Sequence, residues 1–305
     1  MPTISILLPV YKEPESIIKE SIESILSQDY TDFELIIVLD DPLNVRLRNI
    51  VEMYSKRDSR VSVIRNSQNI GLARSLNKAI SKAKGTYICR MDADDISEHD
   101  RLSTQLSYLR NNELDLVGSG MTVIDEDGTE LYPVDNLPES SDSVTKALHF
   151  NNCVPHPTWF GTKEVFLQKY RLVPLCEDYD FLVRASLHGD RIGNVPRKLV
   201  KYRMSKSSVS RTNLYKQFLY QVELTKAYAM GEVLDIDSAN IVVNQNHSRK
   251  KAEHYSHANQ LFNRGLSLIR SRKYIRGLYD LARVPLISQS YFRKIIRLAR
   301  AYIVK

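Results

Sequence analysis

Gly85-Thr86-Tyr87-Ile88-Cys89-Arg90-Met91-Asp92-Ala93-Asp94-Asp95 is the stretch on which the fold turns. Residues 85–89 form a short, mostly apolar run that reads as a strand, and Ser97-Glu98 read as the start of a helix. Three carboxylates therefore sit where a strand has ended and a helix has not begun. Such edges are where α/β proteins bind ligands. Hard carboxylate oxygens suit Mg²⁺ or Mn²⁺, and such an ion can hold a diphosphate. Aspartate also caps helices, so on this stretch alone both readings stand open.

Working outward, the same strand–helix alternation fills the first hundred residues. Ile4–Val10 is an apolar run ending in Pro9-Val10-Tyr11-Lys12-Glu13-Pro14. Ile17, Ile18, Ser21, Ile22, Ile25 and Leu26 follow at helical spacing, with Lys19, Glu20 and Glu23 on the opposite face. Phe33–Leu39 is a second apolar strand ending in Asp40-Asp41-Pro42. A helix over about 45–56, a strand at 61–64 and a helix opening at Asn69-Ile70-Gly71-Leu72 come next. Nearly continuous apolar strands separated by helices predict a parallel sheet covered on both faces. No G-x-G-x-x-G follows the first strand and no G-x-x-x-x-G-K-[ST] occurs, so a dinucleotide fingerprint and a P-loop are unsupported. What recurs at the strand ends is carboxylate: Glu13, Asp40 and Asp41, then Asp92, Asp94 and Asp95. In an open α/β sheet those ends share one crevice, and the convergence favours the metal reading.

Composition sets outer limits. The chain has 305 residues and a net charge of +7, which permits anionic partners without choosing among them. Cys89, Cys153 and Cys176 are odd in number and scattered, so no disulfide framework is implied and a reducing compartment is the simpler expectation. Cys153 and His156 have C-x-x-H spacing, but no second pair completes a zinc site. No apolar run approaches the roughly 20 residues that span a bilayer, and residues 1–8 lack a charged leader, so the protein is expected to stay where it is made.

Further along, 116–124 reads as a strand closed by the turn Asp125-Glu126-Asp127-Gly128, 131–138 as loop and 140–150 as helix. In Asn152-Cys153-Val154-Pro155-His156-Pro157-Thr158-Trp159 two prolines stiffen the chain around a His. The Trp face suits a sugar ring or the core, and burial statistics favour the core. Glu177-Asp178-Tyr179-Asp180 opens a helical pattern. Acids there complement a helix N-terminus or supply a general base. A strand at 195–202 runs into Arg203-Met204-Ser205-Lys206-Ser207-Ser208-Val209-Ser210, a basic, serine-rich loop able to fold over phosphates.

From Thr212 the pattern is helical, with a break at Gly231, a linker beginning at Asp235 and a second helical region from about Lys251. Residues 249–305 hold fourteen Lys and Arg against Glu253 and Asp280, more than the whole chain's net positive charge. The last helix, 291–303, mixes Arg and Lys with Phe, Ile and Tyr, a pattern suited to an anionic membrane surface.

Taken together, these motifs resemble an inverting family 2 glycosyltransferase of the GT-A fold. The resemblance rests on Pro9-Val10-Tyr11, Asp40-Asp41, Asn69-x-Gly71-Leu72, Asp92-Ala93-Asp94-Asp95, Glu177-Asp178, and Tyr202-Arg203 with Ser208 and Ser210. Each motif is weak alone, but their order and spacing over residues 1–210 are specific. The chain is particularly similar to bacterial enzymes that extend O-antigen or capsule repeat units on a lipid diphosphate. That resemblance implies an α/β GT-A domain at 1–210, with a mostly parallel Rossmann-like sheet, and a helical, basic region at 211–305 packing on it and on the membrane surface. It implies that Pro9, Tyr11, Glu13 and Asp41 hold the nucleotide of a UDP-hexose. Asp92 contacts the ribose or the metal, and Asp94 ligates Mn²⁺ or Mg²⁺. Arg203, Ser208 and Ser210 close over the phosphates. Asp178 is the general base, and His156, Trp159 and Glu177 line the acceptor side. The implied acceptor is an undecaprenyl-diphosphate-linked sugar at the inner face of the bacterial cell membrane, reached from the cytoplasm, with no nucleic acid involved.

Two departures stand out. Asp41 is followed by Pro42-Leu43-Asn44 where the family usually has Gly-Ser, and Ser205 stands where it often has His. Two other classes compete. A non-catalytic nucleotide- or lipid-binding protein would use the basic tail, but aromatic RNA-binding motifs are absent and acidic strand ends repel phosphates without a metal. A nucleotidyltransferase also pairs carboxylates with a metal, but it leaves Glu177-Asp178 without a role.

Overall fold

The computed structural model describes residues 1–204 and 213–304. Its centre is one nine-stranded sheet, built first from β1 (Ile4–Val10), β2 (Phe33–Leu39), β3 (Val61–Arg65) and β4 (Tyr87–Arg90). These four run parallel in the order β3-β2-β1-β4, with Ile4 opposite Phe33 and Tyr87. Between them lie α1 (Glu15–Leu26), α2 (Val45–Arg57) and α3 (Leu72–Lys82). β1, β2 and β4 are buried on both faces because alternate residues feed two cores. Leu7, Ile36, Val38 and Ile88 pack with α3, while Ile4, Ile6, Leu8, Leu35 and Ile37 pack with α1 and α2. That double burial is why the sequence reads as continuous apolar runs rather than alternation.

Past β4 the sheet turns mixed. It continues through β5 (Ile96–Ser97), α4 (Arg101–Asn111), β6 (Leu116–Ile124), β7 (Glu130–Val134), α5 (Ser141–Leu148), β8 (Phe160–Thr162), α6 (Lys163–Phe166), α7 (Glu177–His188) and β9 (Ile192–Arg203). The full order is β3-β2-β1-β4-β8-β6-β9-β5, with β7 beside β6. β5 follows β4 by only five residues, yet it pairs with β9 at the far end of the sheet. Residues 91–95 therefore run from the parallel half to the opposite end, and the sheet curls to let them do so.

Two expectations are corrected here. Ser97-Glu98 do not start a helix: Ile96 and Ser97 pair with Lys201 and Val200, and α4 begins at Arg101. Residues 130–134 are strand rather than loop. β7 is an exposed edge strand, so no buried face gives it a period-2 apolar signal.

The remaining helices are α8 (Leu214–Ala229), α9 (Ile236–Asn246), α10 (Arg249–Arg270), α11 (Tyr274–Ile287) and α12 (Gln289–Ile303). Asp235 is not the start of a linker: its side chain accepts from the Ser238 N–H and caps α9. The helical region expected from about Lys251 comprises three helices. Arg272 breaks it with a φ of 60°, and Ser288 caps α12. Tyr220, Leu224 and Val243 join the same core as Val144 and Trp159, while Tyr215, Phe218, Tyr255, Leu261, Val284 and Tyr291 form a third core. α10 and α11 approach closely because both carry glycine at the crossing. A Cβ on Gly265 would lie 2.8 Å from Leu281 Cδ2, and one on Gly277 would lie 2.8 Å from the Gly265 carbonyl oxygen.

Candidate active site

The parallel strands end on a shared edge. Pro9 and Asp41 are half-buried there, Tyr11 is exposed, and Glu13 folds back so that its Oε2 accepts the Tyr11 N–H at 2.8 Å. Asp40 serves the backbone instead. Its carboxylate accepts from the N–H groups of Ile70 (2.9 Å) and Gly71 (2.8 Å) and from Asn66 Nδ2 (2.7 Å). Gly71 has φ +82°, a conformation that disfavours any residue with a Cβ, which explains the Asn-x-Gly motif.

Arg90 ends β4 and is buried. Its Nη1 donates to Asp92 Oδ2 at 2.7 Å, and Nη2 pairs with Asp92 Oδ1. Its N–H donates to the Trp159 carbonyl (2.9 Å), and its own carbonyl accepts from buried Arg101, which also holds the Pro157 carbonyl. Asp92, Asp94 and Asp95 each place a carboxylate oxygen within 4.8 Å of the others. Asp94 is pushed up to about 7 by burial, by Asp92 and by Glu13. Asp95 is raised well above the usual carboxylate range by burial and by the charges of Asp92 and Asp94. Its Oδ1 accepts the Arg203 N–H (2.8 Å), but Oδ2 is buried without a hydrogen-bond partner among the described residues. A cation placed among these three groups relieves both the crowding of charge and the orphaned oxygen, and an all-oxygen donor set suits Mg²⁺ or Mn²⁺. Asp95 caps no helix, which removes the competing reading of that residue.

Glu177 and Asp178 open α7 from the other side. Asp178 Oδ2 accepts from Asn152 Nδ2 at 2.8 Å, and Oδ1 accepts the Tyr179 N–H at 2.7 Å. Burial raises Asp178, opposed by those hydrogen bonds and by Arg90. Glu177 is pushed up to about 7, by burial first and by the charge of Asp178 second. Asp92 and Arg90 also act on Glu177, so the charge of one guanidinium reaches both the aspartate cluster and the α7 acids. Asp180 turns inward, paired with Arg171 and with Arg184 Nε (2.9 Å). The acidic run therefore divides into two site residues and one core ion pair.

Three expected residues stand elsewhere. Trp159 is fully buried, donates Nε1–H to the Val154 carbonyl and stacks on Tyr170, leaving no face for an acceptor. His156 is buried with Nε2 2.9 Å from the Tyr170 hydroxyl, and burial and then Arg90 push it well below the usual imidazole range. Both form the wall behind the site. Arg203 is committed to protein. Nε donates to the Asp94 carbonyl (3.0 Å), Nη1 to the Glu126 carbonyl (3.0 Å) and Nη2 to Glu20 Oε2 (2.6 Å). It clamps the aspartate segment rather than reaching for phosphate. Ser205, Ser208 and Ser210 lie outside the described residues.

The sequence reading left two residues without a role. Arg90 had a signal, since an arginine closing an apolar strand beside an aspartate needs a buried partner. Asn152 had none, because only the fold brings it to Asp178.

A parallel half-sheet with an aspartate cluster at its carboxyl edge, closed by a mixed half that presents a buried acid, defines the GT-A class of nucleotide-sugar enzyme. Residues 5–185 match the Glycosyl transferase family 2 model, and the chain belongs to that family. An uncharacterized glycosyltransferase of Methanocaldococcus jannaschii is 34% identical over 74% of this chain and 79% of its own length. The O-antigen biosynthesis glycosyltransferase WbnJ of Escherichia coli is 34% identical over 69% of this chain and 83% of its own. Among solved structures, S. aureus TarS 1–349 in complex with UDP-GlcNAc has the same fold, with a TM-score of 0.61 at 18% identity over 99% of this chain and 89% of that one.

Proposed function

We propose that this glycosyltransferase moves a hexose, galactose or glucose, from a UDP-sugar to a hydroxyl of a lipid-diphosphate-linked sugar in bacterial surface polysaccharide synthesis. The observation that carries the reading is the placement of Asp178. It is buried, held by Asn152 and by the Tyr179 N–H, and acted on by the charge of Arg90, whose guanidinium pairs with Asp92. A carboxylate so placed accepts the proton of the acceptor hydroxyl as that oxygen attacks the anomeric carbon. The bond to the UDP oxygen breaks on the opposite face, so an α-linked donor gives a β-linked product without a covalent enzyme intermediate.

Asp92, Asp94 and Asp95 would hold the divalent ion. When bound, such an ion neutralises the diphosphate and stabilises the departing UDP. Pro9, Tyr11, Glu13 and Asp41 form the nucleotide edge, and Glu177 lies beside the incoming acceptor. The O-antigen role named for the E. coli relative and the UDP-GlcNAc bound by the S. aureus neighbour support a UDP donor and a polysaccharide product. No helix among the described residues is long and apolar enough to cross a membrane, so an undecaprenyl-diphosphate acceptor would be met at the inner membrane surface.

The test is a screen of UDP-hexoses with a synthetic GlcNAc-diphosphate-lipid, following UDP release with and without Mn²⁺ or Mg²⁺ and reading the linkage by NMR. Metal-dependent UDP release with a β-linked product is expected, and Asp94→Ala should abolish it. Near-normal turnover by that variant removes Asp94 from the metal site. Pyrophosphate release from a nucleoside triphosphate would instead identify a nucleotidyltransferase.

A further inference from the structure

We propose that α11 seats this protein on an anionic lipid bilayer. The inference deepens the membrane-surface reading above and rests on it for location, not for the transfer chemistry. The inner face of α11 is spoken for. Gly277 and Val284 are buried, and its one acid, Asp280, receives two hydrogen bonds from Arg264, at 2.6 and 2.8 Å. The outer face is the reverse. Ile275 is 87% exposed and Leu286 85%, and Tyr274, Leu278 and Tyr279 are each more than half exposed. At the helical period these residues share one arc of about 140°. Contiguous apolar surface of this kind marks an interaction site.

Charge selects the occupant. Arg276 and Arg283 border the arc, Arg272 and Lys273 precede it, and no carboxylate stands on that face. A two-fold pairing of copies would bring these cations together, whereas anionic headgroups neutralise them. Tyrosines beside aliphatics suit the headgroup boundary. At 14 residues, or about 21 Å, the helix is too short to span a core of about 30 Å, so it lies in the interface plane.

The last helix, expected to meet the membrane, also keeps Tyr302 and Ile303 exposed, but part of it is committed to protein. α12 buries Tyr291 and directs Arg297 inward, where it donates to the carbonyls of Phe150 (3.0 Å) and Gln221 (3.3 Å). α12 is the brace that fixes α11 to the catalytic body.

Full-length protein should co-sediment with phosphatidylcholine vesicles containing phosphatidylglycerol and not with phosphatidylcholine alone. Ile275→Glu with Leu286→Glu should weaken that binding by about tenfold or more, and Arg276→Gln with Arg283→Gln should weaken it and lessen its salt dependence. Leu167→Glu, exposed elsewhere, should leave it unchanged. Transfer to a water-soluble acceptor should persist in Ile275→Glu/Leu286→Glu, which separates lost docking from a failed enzyme. Unchanged vesicle binding by that double variant overturns the proposal. So does a wild-type dimer that the variant dissolves while neither protein binds vesicles.

Discussion

Arg90 and Asp92, two residues apart at the end of β4, form a two-pronged ion pair in which the guanidinium is almost wholly buried and the carboxylate is partly open to the site. The same guanidinium offsets the charges of Asp94, Asp95, Glu177 and Asp178. One cation thus lets two groups of carboxylates, brought in from opposite halves of the sheet, occupy one crevice.

Removing that cation leaves buried carboxylates facing one another. Arg90→Met, close in size, should cost about 3–5 kcal/mol of unfolding free energy, the range for breaking one partner of a buried pair. Urea denaturation measures it. A cost below about 1 kcal/mol would mean that solvent, not Arg90, balances the site.

Asp178→Asn keeps the shape and the hydrogen bond from the Tyr179 N–H while removing the proton acceptor. Donor binding, followed by calorimetry with UDP, should stay within about twofold, and turnover should fall by about 10²–10⁴. Loss of UDP binding in a folded variant would reassign Asp178 to the donor side.

Glu177 titrates at about 7 in the fold against an ordinary value of 4.5. Because the folded state holds the proton more tightly, ionising Glu177 costs stability as pH rises through this window, and the cost is complete above 7. Glu177→Gln should therefore raise Tm at pH 8, by roughly 2–4 °C for each kcal/mol relieved, and leave it nearly unchanged at pH 5. Scanning calorimetry at both values checks it. Equal shifts at both would show that ionisation is not the cause.

Much of the sheet was legible because its strands are buried on both faces. Ile4–Val10, Phe33–Leu39 and Leu116–Ile124 stand where the apolar runs stand. β7 and β5 were not legible, since an exposed edge and a two-residue strand bury no apolar stripe. Asp92 and Asp94 could be grouped from the alternation of strand and helix, and Glu177-Asp178 from their excess of acid. The direction each side chain takes could not: the resemblance set Arg203 and Trp159 toward ligand, whereas hydrogen bonds hold Arg203 in protein and Trp159 takes the core place that burial statistics favoured.

The local chain by itself determined the strand–helix alternation, the carboxylate strand ends and the basic tail, because apolar periodicity and charge are properties of neighbouring residues. Only the tertiary structure decided which charges meet. β5 pairs with β9 rather than with a neighbour in sequence. That pairing carries the aspartate segment across the sheet and delivers Arg203 to its backbone. The fold sets Asn152 against Asp178, and the packing of α10 on α11 leaves Ile275 and Leu286 facing out. The Asn152–Asp178 and Arg203–Asp94 contacts join residues 26 and 109 positions apart, and no local pattern encodes such a pairing.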